Sequence, residues 1–433
     1  MSLHSLLRLK NSGFMAKILF LSLVFPPDNV STAQIMGDLA VDLRNMGHDV
    51  EVLTTTPHYN RDFESEAKQP RHKLWGLILQ KSSYFGIPVF HVIMPRKGSN
   101  ILARVLAWLS FHFLSTVAGL LVLKRPDIII VPSPPLTIGL NAWLLGLLVN
   151  SPYIYNVQEI YPDYAIELGV LRNKWIIKVL FWVESFVYDK AKSVTVIAPH
   201  MAQQLHKKRV PMNKVKVIPN FVDVNDLHPL PKDNSFSRQY GIHDKFVVSY
   251  AGNIGPGQDL ETFIEAAAML EAHRNIHFLM MGDGMLRETL SQKVGKLGLS
   301  NFSLLPYQPY SLVPLIYASS DLCLVPQKPG IANVAVPSKV YRIMACGRAV
   351  LAATVPASDL SNLIDESKGG IVVSAGDPKK LADVILIASL APDDLNIMGR
   401  AGRAHVIEKY SRSAISLQYD ALISTNRSSC CED

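Results

Sequence analysis

Short apolar runs alternate with segments of helical spacing along the first part of the chain. Residues 17–25 are almost continuously apolar, as in a strand buried on both faces of a parallel sheet. Gly47 ends the helical segment that follows, and residues 49–56 form the next predicted strand. The apolar positions of that helix are Ile35, Met36, Leu39, Leu43 and Met46. The pattern predicts a β-α-β unit whose first loop, with Pro27 and Asp28, lies at the carboxyl end of a strand, where α/β folds bind ligands.

The same alternation continues through the first half. Residues 57–100 are predicted to form a loop-rich excursion with one strand near 87–94. Further strands are predicted at 127–131, 153–157, 193–197 and 215–219, and helices at 105–123, 138–149 and 175–187.

The second half repeats this plan after a polar, proline-bearing segment, 225–244, which is predicted to be a linker. A strand at 246–251, a glycine-bearing loop, a helix and a strand at 276–281 form a second β-α-β unit. The sequence therefore predicts an α/β fold of two doubly wound Rossmann-like domains facing a cleft, at 15–224 and 245–397. A closing helix at 398–425 and a disordered tail at 426–433 complete the chain, and residues 1–14 form an N-terminal extension.

Residues 105–123 are the most apolar stretch and contain no Asp, Glu, Lys or Arg. Their length reaches the lower end for a membrane-spanning helix. A buried-type strand follows at once, and four polar side chains lie inside the stretch. We therefore expect a core helix, or one partly exposed to the bilayer surface. The basic residues beside several apolar helices indicate peripheral membrane contact.

Composition narrows the function classes. The 433 residues are 48% hydrophobic and 18% charged, which excludes a disordered chain. The net charge of +7 suits anionic lipid, nucleotides or nucleic acid. Nucleic acid is the weakest of these, because the sequence has no aromatic and basic RNA motif and no helix-turn-helix signature.

The four cysteines, at 323, 346, 430 and 431, show neither metal-ligand spacing nor a disulfide framework, which fits a reducing compartment. Residues 1–14 do not resemble a signal peptide, and Met15 is the expected natural start.

Residues 325–351 predict a strand end, a loop, a short helix, a glycine stop and a new strand. Pro337 suits the first helical position. Ser338 and Lys339 follow it, and Lys339 and Arg342 are spaced i, i+3 near the helix N-terminus. Backbone N–H groups and two cations favour an anion there, so we predict a phosphate or diphosphate site. A solvated basic helix start is the alternative.

Three more strand-end loops of the second half carry phosphate- or base-binding features. The first includes Gly252, Asn253, Gly255 and Gln258, and its glycines permit close approach of a phosphate. A plain strand–helix turn is its alternative. The second is Gly282-Asp283-Gly284, where Asp283 is alternatively a turn or cap residue. The third contains Tyr307 and Gln308. The sequence shows no Asp or His cluster that suggests a metal, so no metal or other cofactor is expected. Cations and helix dipoles are then expected to neutralise the charge of the diphosphate.

The order of motifs along the chain resembles that of a known family. The order of the PPD loop, RNMGHDVEVLT, NVQEIYPD, VIPNFVD, YAGNIG, MMGDG, LPYQP, DLCLVP and PSKVYRIMACGRAVLA is similar to the family-4 retaining glycosyltransferases of GT-B fold. The likeness runs from about Met15 onward. Its NVQEIYPD, TTTPHYN and GNIG segments are most similar to the branch that makes bacterial surface polysaccharides, which includes N-acetyl-L-fucosamine transferases of the O-antigen and capsule type.

The resemblance implies that the second domain binds the nucleotide sugar and the first the acceptor, and that the closing helix crosses back to the first domain. Two glutamates usual in the family, with seven residues between them, correspond to Val334 and Arg342. Asn253 and Gln258 replace a usual arginine and lysine, whereas Lys339 matches a recurrent lysine. The resemblance therefore assigns diphosphate binding to Lys339 and the loop at 252–257. It assigns no glutamate pair to this chain.

The implied reaction is retaining transfer from a nucleoside-diphosphate sugar. Glu159 is the predicted acceptor-side catalytic group and Lys339 the donor-side one, because the departing diphosphate needs its charge neutralised. Pro27, Asp28 and Asp163 are predicted to bind the acceptor. Capping or ion pairing is the structural alternative for Glu159 and Asp163.

The expected substrates are a nucleotide sugar, with UDP as the favoured nucleotide, and a lipid-linked saccharide at the inner face of a bacterial plasma membrane. The alternatives are a nucleotide-sugar 2-epimerase and an inactive GT-B protein that binds nucleotide sugars or acts as a scaffold.

Overall fold

The computed structural model of the chain describes residues 15–28, 30–58, 63–76, 78–94, 101–332, 334 and 336–428. The predicted N-terminal extension, residues 429–433 of the predicted tail and two of the four cysteines lie outside this part. The chain divides into two compact units, as far as it is described. Among the described residues, the first comprises those within 15–162, 172–219 and 415–428, and the second comprises those within 163–171 and 220–414.

The first unit is built on one sheet with the order β3-β4-β5-β2-β1-β6-β7-β8-β9. All neighbours are parallel except the antiparallel pairs β3–β4 and β4–β5. Strands β1, β6 and β7 are buried along almost their whole length, as their apolar runs predict. The strands are Lys17–Leu21, Asp49–Thr55, His72–Trp75, Leu79–Tyr84, Ile87–Val92, Ile128–Pro132, Tyr153–Val157, Ser193–Val196 and Val215–Val217.

Helices cover both faces of this sheet. Up to residue 207 the helices of the chain are α1 (Ser31–Asn45), α2 (Phe63–Lys68), α3 (Ile101–Val122), α4 (Ile138–Val149), α5 (Asp163–Glu167), α6 (Lys174–Lys190) and α7 (Pro199–Lys207), of which α5 belongs to the second unit. The chain moves along the sheet in one direction from β1 to β2, and in the other from β5 through β8. Because such crossovers are right-handed, α1 lies on one face and α3, α4 and α6 lie on the other. Over the described residues, no helix combines the length and hydropathy needed to cross a membrane.

The second unit contains a parallel sheet with the order β12-β11-β10-β13-β14-β15. Its strands are Phe246–Ala251, Ile276–Met281, Phe302–Leu305, Leu322–Pro326, Ala349–Thr354 and Gly370–Ser374. Its helices are α8 (Ser235–Gln239), α9 (Leu260–Met269), α10 (Arg287–Leu297), α11 (Val313–Ala318), α12 (Lys339–Ala345), α13 (Asp359–Ser367), α14 (Pro378–Ser389) and α15 (Pro392–Lys409). The two doubly wound α/β units predicted from the sequence are confirmed.

The last helix, α16 (Arg412–Ser428), carries the chain from the second unit to the first. Asp420 lies 2.8 Å from His48 Nε2, and the Ser416 hydroxyl donates to Asp42 at 2.7 Å. The Asn156 amide donates to the Tyr419 hydroxyl at 2.9 Å. Because Asp42 belongs to α1, α16 packs on the face of the sheet opposite α3, α4 and α6.

Several boundaries differ from the sequence prediction. Residues 225–244 are not a separate linker but part of the second unit, where Asn234 caps α8 and Lys232 pairs with Asp321 at 2.5 Å. The described part of the region 57–100 contains three strands rather than one. The closing segment 398–425 is two helices with a break near Ser411, which bridges Val222. Residues 163–171 belong to the second unit, although they lie within the predicted first domain.

A buried ion pair fixes α6 to the end of α7. Lys208 Nζ lies 2.8 Å from both carboxylate oxygens of Glu184, whose side chain is 3% exposed, and the Tyr188 hydroxyl donates to the same carboxylate at 3.1 Å. Burying a carboxylate costs several kcal/mol unless a cation and hydrogen bonds compensate it. The pair therefore anchors one end of α6.

We predict that Lys208→Met destabilises the first unit by about 3–5 kcal/mol, because the Glu184 carboxylate loses its paired cation. The measurement is urea unfolding followed by circular dichroism. The double variant Lys208→Met with Glu184→Gln is the control and should recover most of the loss, because no buried charge is then left uncompensated. Equal midpoints for the wild type and the single variant would contradict the prediction.

Candidate functional site

Two glycine-bearing loops of the second unit pack backbone against backbone. One follows β10 and the other follows β11. The Gly252 N–H donates to the Met281 carbonyl at 2.9 Å, and the Ile254 N–H donates to the Asp283 carbonyl at 2.8 Å. A Cβ on Gly282 would lie 1.8 Å from the Gly252 oxygen. Both loops have backbone angles that glycine adopts readily, with φ of +147° at Gly252 and +146° at Gly282.

Lys339 lies directly over this loop pair. Its Nζ is 3.8 Å from the centroid of the Tyr250 ring, and a Cβ on Gly252 would lie 2.8 Å from the same nitrogen. Burial, and secondarily the positive charge of Arg342, lowers the pKa of the Lys339 side chain to about 7. The structure thus brings Lys339 together with the loop at 252–258, as the sequence predicts for a diphosphate site. The site places an ionisable amine against glycine backbone whose N–H groups at Gly252 and Gly282 bond to the Met281 and Leu305 carbonyls.

The helix that carries Lys339 is shorter than the sequence predicts. It begins at Lys339 with Ser338 as the N-cap residue, so Pro337 is not its first residue. Its apolar positions Val340, Ile343 and Met344 are buried as predicted, and Gly347 follows with a φ of +67°. The Arg342 guanidinium lies 5.5 Å from the centroid of the Tyr310 ring, a cation–π arrangement. Val334, at the other position where the resemblance leads us to expect a glutamate, is buried.

Arg287 is a residue of this site that the sequence did not reveal. Its Nη1 donates to the Gly282 carbonyl at 2.8 Å and to the Leu305 carbonyl at 2.9 Å. The guanidinium therefore connects the carboxyl ends of β11 and β12 and supports the second glycine loop from behind. An arginine in the first turn of an otherwise ordinary helix gives no sequence signal for this role.

The remaining predicted donor residues line the ends of β10, β11 and β12. Asn253 and Asp283 are exposed, and the Asp283 side chain accepts from the Gly284 N–H at 2.8 Å, the turn role that we gave as its alternative. The side-chain Oε1 of Gln258 is buried and accepts no hydrogen bond among the described residues. Tyr307 is 45% exposed, and the Gln308 amide donates to the Pro306 carbonyl at 3.0 Å.

The first unit holds the predicted acceptor-side residues. Burial raises the pKa of the Glu159 carboxyl to about 7, so this group exchanges a proton near neutral pH. Pro27 and Asp28 are both buried, and Asp28 accepts from the His58 N–H at 2.9 Å, so its carboxylate also orders the first loop.

Asp163 begins α5, which belongs to the second unit rather than to the first. There α5 packs against Pro329–Ile331, and a Cβ on Gly257 would lie 3.3 Å from the Tyr164 hydroxyl. Asp163 therefore belongs to the unit that carries Lys339.

Two family models match the chain in succession. A glycosyl transferase 4-like domain matches residues 32–220, and a glycosyl transferases group 1 domain matches residues 245–388. The chain is 25% identical over 320 residues to the probable glycosyltransferase WbjE of Pseudomonas aeruginosa, covering 73% of this chain and 79% of that protein. It is 26% identical over 363 residues to the putative colanic acid biosynthesis glycosyl transferase WcaI of Escherichia coli, covering 82% and 87%.

Solved structures share the fold at lower identity. The structure of Anabaena Alr3699/HepE in complex with UDP-glucose matches 95% of this chain and 100% of its own, with a TM-score of 0.72 and 17% identity. Sucrose-phosphate synthase from Thermosynechococcus elongatus matches 95% of this chain and 98% of its own, with a TM-score of 0.71 and 15% identity.

We predict that the affinity for UDP-glucose falls as the pH rises through about 7. Below this pH the Lys339 side chain is a cation that attracts the diphosphate, and above it the free side chain is neutral. Isothermal titration calorimetry between pH 6 and 9 measures the effect. Lys339→Ala should weaken binding on the order of tenfold or more and flatten the pH dependence. Lys339→Arg, which keeps its charge, should also flatten it. A pH dependence retained in either variant would assign the titration to another group.

We predict that Gly282→Ala weakens UDP-glucose binding roughly tenfold or more, because the new methyl group forces the two loops apart. Gly295→Ala in α10 is the matched control, since a Cβ there has no neighbour within 4 Å. The control should bind normally and be as stable as the wild type or slightly more stable. Calorimetry and thermal unfolding of the three proteins provide the comparison, and normal binding by Gly282→Ala would contradict the prediction.

Proposed function

The chain belongs to the glycosyltransferases that join a glycosyl transferase 4-like domain to a group 1 domain, and we propose that it transfers a sugar from UDP to a lipid-linked saccharide. Its fold class is GT-B, as the sequence predicts. The observation that carries the proposal is the Lys339 ammonium above the paired loops at Gly252 and Gly282. That arrangement places a side-chain amine directly beside glycine backbone.

On the donor side, the leaving diphosphate gains negative charge as the bond between sugar and oxygen breaks. We assign its neutralisation to Lys339 and to the backbone of residues 252–257, with the configuration at the sugar carbon retained. We propose that this step is independent of metal ions. Transfer rates in excess EDTA should therefore equal those in buffer alone. The solved structures of HepE with UDP and with UDP-glucose support a uridine nucleotide as donor.

On the acceptor side, we propose Glu159 as the group that orients or deprotonates the attacking hydroxyl. The acceptor is a lipid-linked oligosaccharide of bacterial surface polysaccharide synthesis, at the inner face of the plasma membrane. The name of WcaI, which assigns it to colanic acid biosynthesis, supports this substrate class. The transferred sugar is an N-acetylamino deoxy sugar such as N-acetyl-L-fucosamine, a choice that rests on the resemblance of the NVQEIYPD, TTTPHYN and GNIG segments.

One specific observation favours a second candidate. The two glutamate positions are occupied by Val334 and Arg342, so the chain is alternatively a nucleotide-sugar-binding protein without turnover. Incubation with UDP- and GDP-sugars and a lipid-linked acceptor separates the candidates. A glycosylated lipid supports transfer. Binding without turnover supports the second candidate, and a free-sugar isomer indicates the 2-epimerase alternative.

We predict that Glu159→Gln keeps the affinity for UDP-glucose but lowers the transfer rate by about 10²–10⁴-fold, because the amide cannot accept a proton. In the wild type, the rate should rise through about pH 7 as Glu159 ionises and fall again as Lys339 loses its charge. The variant should lose only the rising limb. Steady-state rates from pH 5.5 to 9 test this, and wild-type turnover by the variant would place the acceptor chemistry on another residue.

A further inference from the structure

Three neighbouring helices on one face of the first sheet expose large apolar side chains to solvent. In α3, Leu106, Leu109 and Phe113 are 57%, 57% and 69% exposed, and their spacing places them on one side of the helix. In α4, Leu147 and Leu148 are 65% and 52% exposed. Isolated exposed leucines are ordinary, but a contiguous set of this size marks an interaction surface.

Helix α6 continues this surface with aromatic side chains. Trp175 and Trp182 are 77% and 65% exposed and lie two turns apart on the same side. Trp182 stacks on Phe186 at 5.8 Å between ring centroids, and Phe186 meets Trp143 of α4 at 4.9 Å. The outward sides of α3, α4 and α6 therefore form one continuous apolar surface, which we call the α3–α4–α6 surface.

The inward sides of the same helices are fixed by polar contacts. The Thr116 hydroxyl of α3 donates to Asn141 of α4 at 2.7 Å, and the Asn141 amide donates to the Ser115 hydroxyl at 2.7 Å. These residues are buried, as is Phe111. Because α3 is held along its length against α4 and the sheet, its apolar side faces outward as part of a folded unit.

The charges that border the surface are basic. Arg172, Lys174 and Lys178 are exposed at the start of α6, and Lys178 Nζ lies 6.0 Å from the centroid of the Trp175 ring. The two acidic residues of α6 are neutralised within the fold. Glu184 is buried against Lys208, and Asp189 pairs with Lys190 at 2.8 Å. Helix α4 has no charged residue, and neither has α3 from Leu106 to its end.

This pattern selects one partner. Tryptophans beside lysines at the edge of an apolar surface are typical of the headgroup region of a bilayer, where the ring is half immersed and the ammonium meets phosphate. A second copy of the chain would instead bring the same cations towards each other. Apolar area together with basic charge matches an anionic lipid surface.

We infer that the α3–α4–α6 surface docks onto an anionic bilayer, with the three helices lying in the interface rather than crossing it. Trp175 and Trp182 would lie at headgroup level, and Lys174 and Lys178 would contact lipid phosphates. The purpose of this docking rests on the proposed function, in which the acceptor is lipid-linked. It goes further in naming the docking surface and the charge of the lipid.

Vesicle flotation of the full chain tests the inference. The probes are phosphatidylcholine vesicles, alone or with about one-third phosphatidylglycerol. We expect the wild type to float with the anionic vesicles. Trp175→Ser with Trp182→Ser should lower the partition coefficient about tenfold or more. Lys174→Glu with Lys178→Glu should lower it at least fivefold for each lysine on the anionic vesicles only, and high salt should have the same effect as this variant.

Ile387→Ser with Leu390→Ser is the matched control, since these two residues belong to the second unit and are 67% and 78% exposed. It should float like the wild type. Circular dichroism confirms that each variant is folded. Equal flotation of the tryptophan variant and this control would overturn the inference. So would a dimer in light scattering that the tryptophan variant dissociates, combined with no flotation of the wild type.

Failure of the inference is distinguishable from failure of the proposed function. Flotation involves no sugar chemistry, so a chain that floats but transfers nothing refutes the function alone. With a water-soluble, short-chain acceptor and no vesicles, the tryptophan variant should transfer at the wild-type rate. With the acceptor embedded in anionic vesicles its rate should fall with its partitioning. A wild-type rate there would refute the docking surface alone.

Discussion

The contact between the backbones of Gly252 and Gly282 is the constraint on which the candidate site depends. Neither loop has room for a side chain at that contact, and the space above Gly252 is the space that Lys339 Nζ occupies. The order of the parallel strands places the two loops side by side, and Arg287 holds the second one from behind. A small change in either glycine therefore displaces the cation as well as the backbone beneath it.

The apolar runs made the strands and the fold class predictable, because a strand buried on both faces must be apolar throughout. The position of Lys339 at a helix start and of the glycine loops at strand ends followed from the same pattern. The role of Arg287 did not, since it depends on two carbonyls that meet only in the folded sheet. Nor did the hairpin of β3 and β4, because the exposed residues of β3 carry no apolar alternation.

Burial moves Lys339 and Glu159 towards neutrality from opposite sides. It lowers the pKa of the lysine and raises that of the glutamate, each to about 7, because the charged form of either group loses water. In the transfer that we propose, the lysine acts as a cation and the glutamate as a base. Both needs are met together only in a narrow pH interval. Because positions 334 and 342 carry no carboxylate, Lys339 and Glu159 are the more important ionisable groups.

The chain passes between its two units at residues 162–163, 171–172, 219–220 and 414–415. Neither unit is therefore a contiguous piece that a single cut can release. A fragment that starts at residue 220 lacks α5, whose Tyr164 lies against the loop at Gly257, and a fragment that stops at 219 lacks α16 and its contacts with α1. Recombination with related transferases must accordingly exchange residues 163–171 together with the second unit and retain 415–428 with the first. In hybrids joined only near residue 220, α5 of one parent would pack on the second unit of the other parent. Likewise, α16 of the second parent would pack on the first unit of the first parent.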